Sequence, residues 1–256
     1  MSTPSIKLSA NVNKVATLRN SRGGREPDVL DAVAVCVAAG APGITVHPRA
    51  DERHIRRSDV YDIAELLKRS PEVEYNIEGD PRPDFLELVL KVRPTQCTLV
   101  PVMPGEVTSQ AGWPAGTPVD DLKAVLSGMK KIGVRVSMFV NPVPDAVRWA
   151  AAVGGDRIEL YTEPFARAFE AGQGEASFRT YADAAELAHS LGLGVNAGHD
   201  LDLANLPLFR RLPHLQEVSI GHALISHALY VGLERSVGDF LDALTAKPWR
   251  REGSPR

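Results

Sequence analysis

Eight times along the chain a short run rich in β-branched residues gives way to a longer segment of helical period, and nothing else in the sequence restricts the fold as much. The runs are IKLSANV (6–12), GITVH (43–47), EYNIEG (74–79), CTLVPV (97–102), VRVSMFV (134–140), RIELYT (157–162), LGVNAGH (193–199) and EVSIGH (217–222). Helices are predicted between and after them over 28–39, 58–69, 83–92, 119–131, 144–152, 177–191, 202–211 and 223–246. Apolar residues recur there at three- and four-residue spacing, as in Val60, Ile63, Ala64 and Leu67. Start signals agree: Asp28 after Pro27, Ser58 before Asp59, and Pro144 with Asp145. Gly40, Gly133 and Gly192 each follow a helical pattern and precede a strand, as C-terminal caps do. Parallel neighbours need a crossover, so strand then helix repeated eight times predicts a parallel sheet. Closure into a single (β/α)8 TIM barrel suits the count better than an open sheet, and 256 residues fit one such domain. The barrel is expected over about 6–246, with a frayed tail over about 247–256.

Charge narrows the partners. With 29 basic and 32 acidic residues the net charge is −3, so bulk electrostatics favours neither nucleic acid nor an acidic membrane, and any anion site must be local. The first residues, MSTPSIKLSANVNK, lack the basic segment and apolar run of a signal peptide, and no stretch approaches the roughly 18 apolar residues of a membrane span. A soluble, cytoplasmic protein is expected. Cys36 and Cys97 lie in apolar runs and are expected to be buried, reduced thiols.

Barrel chemistry sits where strands meet the loops that follow, so functional groups should gather at strand C-termini and thin out at the opposite ends. The predicted ends carry Asn11, Asn13 and Lys14; His47 and Arg49; Asn76 and Glu78; Asn196 and His199; and Gly221 with His222. His54 lies in the loop after the second strand, whereas His189, His214 and His227 fall elsewhere. Any one of these histidines could be a satisfied polar group; their gathering at one end points to a site. Glu78 places a carboxyl where desolvation raises its pKa toward the range of a general base, the competing reading being a structural salt bridge. Arg49, Arg53, Arg56 and Arg57 alternate with Asp51, Glu52 and Asp59, which reads as a mutually paired, solvated loop from which only Arg49 and His54 stand out.

Two features suit oxyanions. Arg22 lies beside two glycines in NSRGG (20–24), where backbone N–H groups and a guanidinium can cradle a phosphate. In SIGHALISHAL a helix starts almost at once after Gly221, and barrel enzymes often bind phosphate at such a helix N-terminus after the last strands. Two anion sites imply one doubly phosphorylated substrate or two phosphorylated ones. The segment 102–118, rich in Gly and Pro, is long for a connection; such loops commonly act as lids, with Thr108 able to reach a substrate, the competing reading being simple surface disorder.

Together, NVNKVATLRNSRG, AGAPGITVHPRADERHI, YNIEG, LGVNAGHDL and EVSIGHALI closely resemble the pyridoxine 5′-phosphate synthase family, in order, from about residue 6 to about 240. The resemblance implies a (β/α)8 barrel assembled as a homo-octamer. It implies an enzyme, without metal or organic cofactor, that joins 1-deoxy-D-xylulose 5-phosphate to 3-amino-2-oxopropyl phosphate, giving pyridoxine 5′-phosphate, phosphate and water. It implies His47 and Glu78 as proton acceptors and His199 as proton donor. Asn11, Arg22, Gly221 and His222 match positions that hold the aminooxopropyl phosphate, and Arg49, His54 and Thr108 match those that hold the deoxyxylulose phosphate. There are departures: Asn13 and Lys14 stand where many members have Asp and His, Tyr161-Thr162-Glu163 where they have His-Thr-Gly, Asp200 where they have Gly, and Val102 where a Glu is common. Asn13, Lys14 and Asp200 are expected to contact substrate, the added positive charge of the first pair offsetting Asp200 near a bound phosphate.

Other classes compete. Another phosphate-handling aldolase or isomerase on the same scaffold is one; a Schiff-base aldolase would need a lysine at an interior strand end, for which Lys14 is the candidate. A phosphate-ester sensor would need no placed acid and bases. A metal-dependent hydrolase using His47, His199 and His222 lacks any His-x-His or His-Glu-x-x-His spacing to support it.

Overall fold

The structure, a computed structural model, describes residues 6–101 and 111–245. Eight strands close into a barrel in sequence order, every neighbouring pair parallel. They are β1 (Lys7–Asn11), β2 (Gly43–Val46), β3 (Glu74–Gly79), β4 (Gln96–Leu99), β5 (Arg135–Val140), β6 (Arg157–Tyr161), β7 (Gly194–Gly198) and β8 (Leu215–Ile220).

Each strand obeys a period of two. Leu8, Ile44, Ile77, Cys97, Met138, Leu160, Ala197 and Val218 belong to the apolar layer under the helices. The alternate residues Ser9, Thr45, Asn76, Thr98, Ser137, Glu159 and Asn196 are buried and polar, unlike the near-continuous apolar runs usual in parallel sheets. A buried polar group without a partner costs about 1–3 kcal/mol, and a lattice of bonds across the barrel offsets most of that. Ser9 and Thr45 hydroxyls lie 2.6 Å apart, the Asn76 amide donates to Thr45 at 3.3 Å, and the Thr98 hydroxyl donates to Asn76 at 3.0 Å. Asn76 and Asn196 therefore belong to the barrel interior, and neither lines the mouth.

The N-terminal end is closed by a charged floor. Glu74 pairs with Lys7 and Arg135, Arg135 donates to Gln96 at 2.9 Å, and Arg157 lies 3.7 Å from Glu217. The groups at that end are mutually paired, in keeping with a structural role.

Around the barrel lie α1 (Asn13–Asn20), α2 (Val29–Ala38), α3 (Arg57–Leu67), α4 (Pro83–Val92), α5 (Val119–Lys131), α6 (Pro144–Ala152), α7 (Glu163–Glu170), α8 (Gly174–Ser190), α9 (Leu206–Phe209), α10 (His222–Val231) and α11 (Leu233–Leu244). Asp28 caps α2, accepting from the Leu30 amide at 2.7 Å. Two helices were not expected. The sequence reads α1 as strand end and glycine loop, yet Val15, Ala16 and Arg19 bury one face of it. In α7, Pro164 sits in the first turn and Phe165 and Ala166 go into the core. The last predicted helix is two, broken at Gly232, whose φ of +86° no helix accommodates. The seventh is only the turn α9. Cys36 and Cys97 are buried and free, and no described helix is long and apolar enough to cross a membrane.

Candidate active site

At the C-terminal ends of the strands the barrel opens into a cavity of about 390 Å³. Asn11 enters it from the end of β1, and Asn13, Lys14 and Thr17 from the first turns of α1. His47 and Arg49 follow β2, with Arg53 and His54 further along that loop. Glu78 comes from β3, Glu159 from β6, His199 and Asp200 from the end of β7, and Ser219, Gly221 and His222 from β8 and the start of α10. Of the residues singled out in the sequence, Arg22 is exposed beyond α1 and does not line this cavity, and Thr108 lies outside the described residues.

Short polar contacts order the first wall. The Asn11 side chain accepts from the Asn13 amide at 3.0 Å, and the Asn13 side chain accepts from the His47 amide at 3.0 Å. His47 Nδ1 stands 3.8 Å from Glu78 Oε2, and His47 Nε2 is buried with no hydrogen-bond partner among the described residues. Such an atom in a cavity wall is suited to a ligand. His54 Nδ1 accepts from the Ile55 amide at 2.9 Å, leaving Nε2 to carry the ring proton. Gly221 packs on Asn11, whose side chain would be only 3.1 Å from any Cβ there.

Burial sets the protonation states. It pushes Glu78 up to about 8, with the Glu217 carboxylate adding to the rise, and it drives Glu159 well above the usual carboxyl range. It holds His47 well below an ordinary histidine, reinforced by His54 and Arg49, and His54 down at about 4, with Arg49 and Lys14 reinforcing the burial. His199 is lowered chiefly by burial; Asp200 counteracts this and Lys14 adds to it. Around neutrality these imidazoles are neutral, and the carboxyl that titrates near 8 is the group placed to take and return a proton there. Among the described residues no three His, Cys, Asp or Glu are grouped to hold a metal ion.

His199 and Asp200 both adopt left-handed backbone, with φ of +81° and +56°. Each such residue costs on the order of 1 kcal/mol or more, and only glycine is free of the steric term. Asp200→Gly is therefore expected to raise the Tm by about 2–4 °C, read by calorimetry. An unchanged or lower Tm would show that the Asp200 side chain repays its own strain.

The chain from residue 8 to 246 matches the family model for pyridoxal phosphate biosynthesis protein PdxJ. It belongs to the PdxJ family. It is 52% identical over 239 residues to the pyridoxine 5′-phosphate synthase of Bacteroides thetaiotaomicron, covering 93% of this chain and 99% of the relative. It is 52% identical to that of Porphyromonas gingivalis, covering 93% and 98%. Among solved structures, phosphoribosylanthranilate isomerase from Thermotoga maritima superposes with a TM-score of 0.59 at 13% identity, covering 94% of this chain and 100% of that one, a likeness of fold alone.

In this PdxJ family member the sequence had not singled out four lining residues. Glu159 and Ser219 sit on the inward parity of strands read only for their ends, and that parity was the available signal. Thr17 was hidden with α1, where its hydroxyl donates to the Asn13 carbonyl at 3.0 Å. Arg53 was set aside with the solvated loop; it does pair with Asp51, at 2.6 Å, while still facing the cavity.

Proposed function

We infer that this chain is an enzyme of vitamin B6 biosynthesis that joins 1-deoxy-D-xylulose 5-phosphate and 3-amino-2-oxopropyl phosphate into pyridoxine 5′-phosphate, releasing phosphate and water. The observation that carries the reading is the convergence of His47, Glu78 and His199 on one cavity, in a chain about half identical to synthases over nearly its whole length.

The chemistry needs groups of both kinds. The amine of one substrate condenses with the ketone of the other to a Schiff base, phosphate and water are eliminated, and an aldol-type closure precedes aromatisation. Every step moves a proton on or off carbon, nitrogen or oxygen. Glu78, as carboxylate, takes a proton from carbon; His47, neutral because it is buried, takes a second; His199 donates to departing oxygen. Binding of phosphate dianions raises the pKa of His199 by direct attraction, which suits it to donate once substrate is present. Asn11, Gly221 and His222 serve the aminooxopropyl phosphate, and Arg49 and His54 the other phosphate, with Lys14, Asn13 and Asp200 between them. Arg22 and Thr108 are carried by the resemblance.

We place the enzyme in the cytoplasm, working without a metal or organic cofactor and assembled from identical copies, an octamer by resemblance. Leu229 and Tyr230 on α10, 71% and 88% exposed, support association through that face. Expression of the chain in a bacterial strain that requires pyridoxine because it lacks its own synthase is expected to restore growth, whereas the His47→Asn variant should not. Failure of the folded parent chain to restore growth would overturn the reading.

A further inference from the structure

We propose that Thr162, assisted by Asn205, is a positioning residue that aims His199 into the cavity. The proposal rests on the reading of His199 as proton donor and goes beyond it by naming what holds the imidazole in place.

The backbone that carries His199 is a corner the chain would not adopt unaided. Gly198 ends β7, and the next two residues are both left-handed without being glycine. Three consecutive carbonyls of this corner are each held by a side chain. The Thr162 hydroxyl donates to the Gly198 carbonyl at 2.7 Å and also reaches the His199 carbonyl, while the Thr162 amide donates to Gly198 at 3.0 Å. The Asn205 amide group donates to the Asp200 carbonyl at 3.0 Å. Asn205 is in turn fixed by Asp202, whose amide donates to its side-chain oxygen at 3.0 Å and whose carboxylate accepts from the Asn205 amide at 2.8 Å. Both holders are buried.

The imidazole itself is shelved by rings. Phe139 and Tyr161 each lie 5.4 Å from it between centroids, and Tyr161 is the residue before Thr162. One dipeptide at the end of β6 therefore supplies both a shelf for the ring and the clamp on the backbone that bears it. A displacement on the order of 1 Å at a reacting group lowers a rate roughly a hundredfold, so loosening the corner should register as lost turnover.

Thr162→Val keeps the shape and removes the hydroxyl. It is expected to lower kcat about 30- to 100-fold with KM for either substrate within about threefold, and Thr162→Ser is expected to recover most of the loss. The His199 ring, followed by NMR titration, should move from its lowered pKa back toward an ordinary histidine in Thr162→Val and stay low in Thr162→Ser. A general weakening of the fold would instead shift Tm and KM without a serine rescue. Should Thr162→Val not fold, Asn205→Ala tests the same corner from its other end and should lower kcat without raising KM. Wild-type kcat and an unmoved His199 titration in these variants, alongside an inactive His199→Ala, would overturn the clamp and leave the donor role intact. An active His199→Ala would overturn the donor role itself.

Discussion

Glu78→Gln is expected to lower kcat by about 10³-fold or more while both phosphorylated substrates bind within about threefold of the parent affinity, because a general base contributes about 10²–10⁴ and no phosphate contact is removed. The same substitution should stabilise the protein. Glu78 titrates at about 8 in the fold, above the ordinary carboxyl value of 4.5, because it is buried and faces the Glu217 charge. The folded state therefore holds this proton longer than the unfolded chain does. The stability it contributes is complete below about pH 4.5 and is lost progressively as pH rises through 8. The glutamine amide carries no such penalty. The Tm of Glu78→Gln should match the parent near pH 4.5 and exceed it by about 4 °C or more at pH 9. At saturating substrate, where bound phosphate keeps His199 protonated, kcat of the parent should climb with pH up to about 8, as the carboxylate forms. Retained turnover would remove Glu78 from the mechanism; lost turnover with a lowered Tm at pH 9 would make it a structural carboxylate.

Lys14→Ala is expected to weaken binding of at least one phosphorylated substrate about 10- to 100-fold. Lys14 lines the cavity and has no hydrogen bond or ion pair among the described residues, whereas Arg53 beside it is engaged by Asp51. A charge-assisted bond in a partly desolvated site contributes about 1.5–3 kcal/mol, which sets the size of the effect. Asp200 shares the cavity and acts on His199 in the opposite sense to Lys14. Removing Lys14 should thus raise the His199 pKa as well. Calorimetric titration with each substrate decides the matter: full affinity for both would contradict the pairing of Lys14 with substrate and, with it, the idea that Asn13 and Lys14 offset Asp200.

The fold was legible because helix and strand periods differ and because each strand was followed by its helix. The gathering of candidate groups at one end of the barrel was equally legible: of the fifteen residues singled out, eleven share the cavity, whereas Arg22, Asn76 and Asn196 do not line it and Thr108 lies outside the described residues. What the linear pattern concealed has physical causes. α1 has no side-chain cap to announce it, so Thr17 was lost with it. Glu159 and Asn196 sit mid-strand, where only the inward parity separates a barrel-lining group from one packed under the helices. The clamp on His199 was invisible because it joins residues 37 apart in sequence through backbone carbonyls, which carry no side-chain signal.

The most direct test of the synthase reading uses purified, chelator-treated protein with deoxyxylulose phosphate and freshly generated aminooxopropyl phosphate, following the absorbance of pyridoxine phosphate and the release of inorganic phosphate together. The account predicts that both rise in step, one phosphate for each ring formed. Tight binding of either substrate with neither product appearing would contradict it and point to a phosphate-ester sensor or to another chemistry on the same barrel.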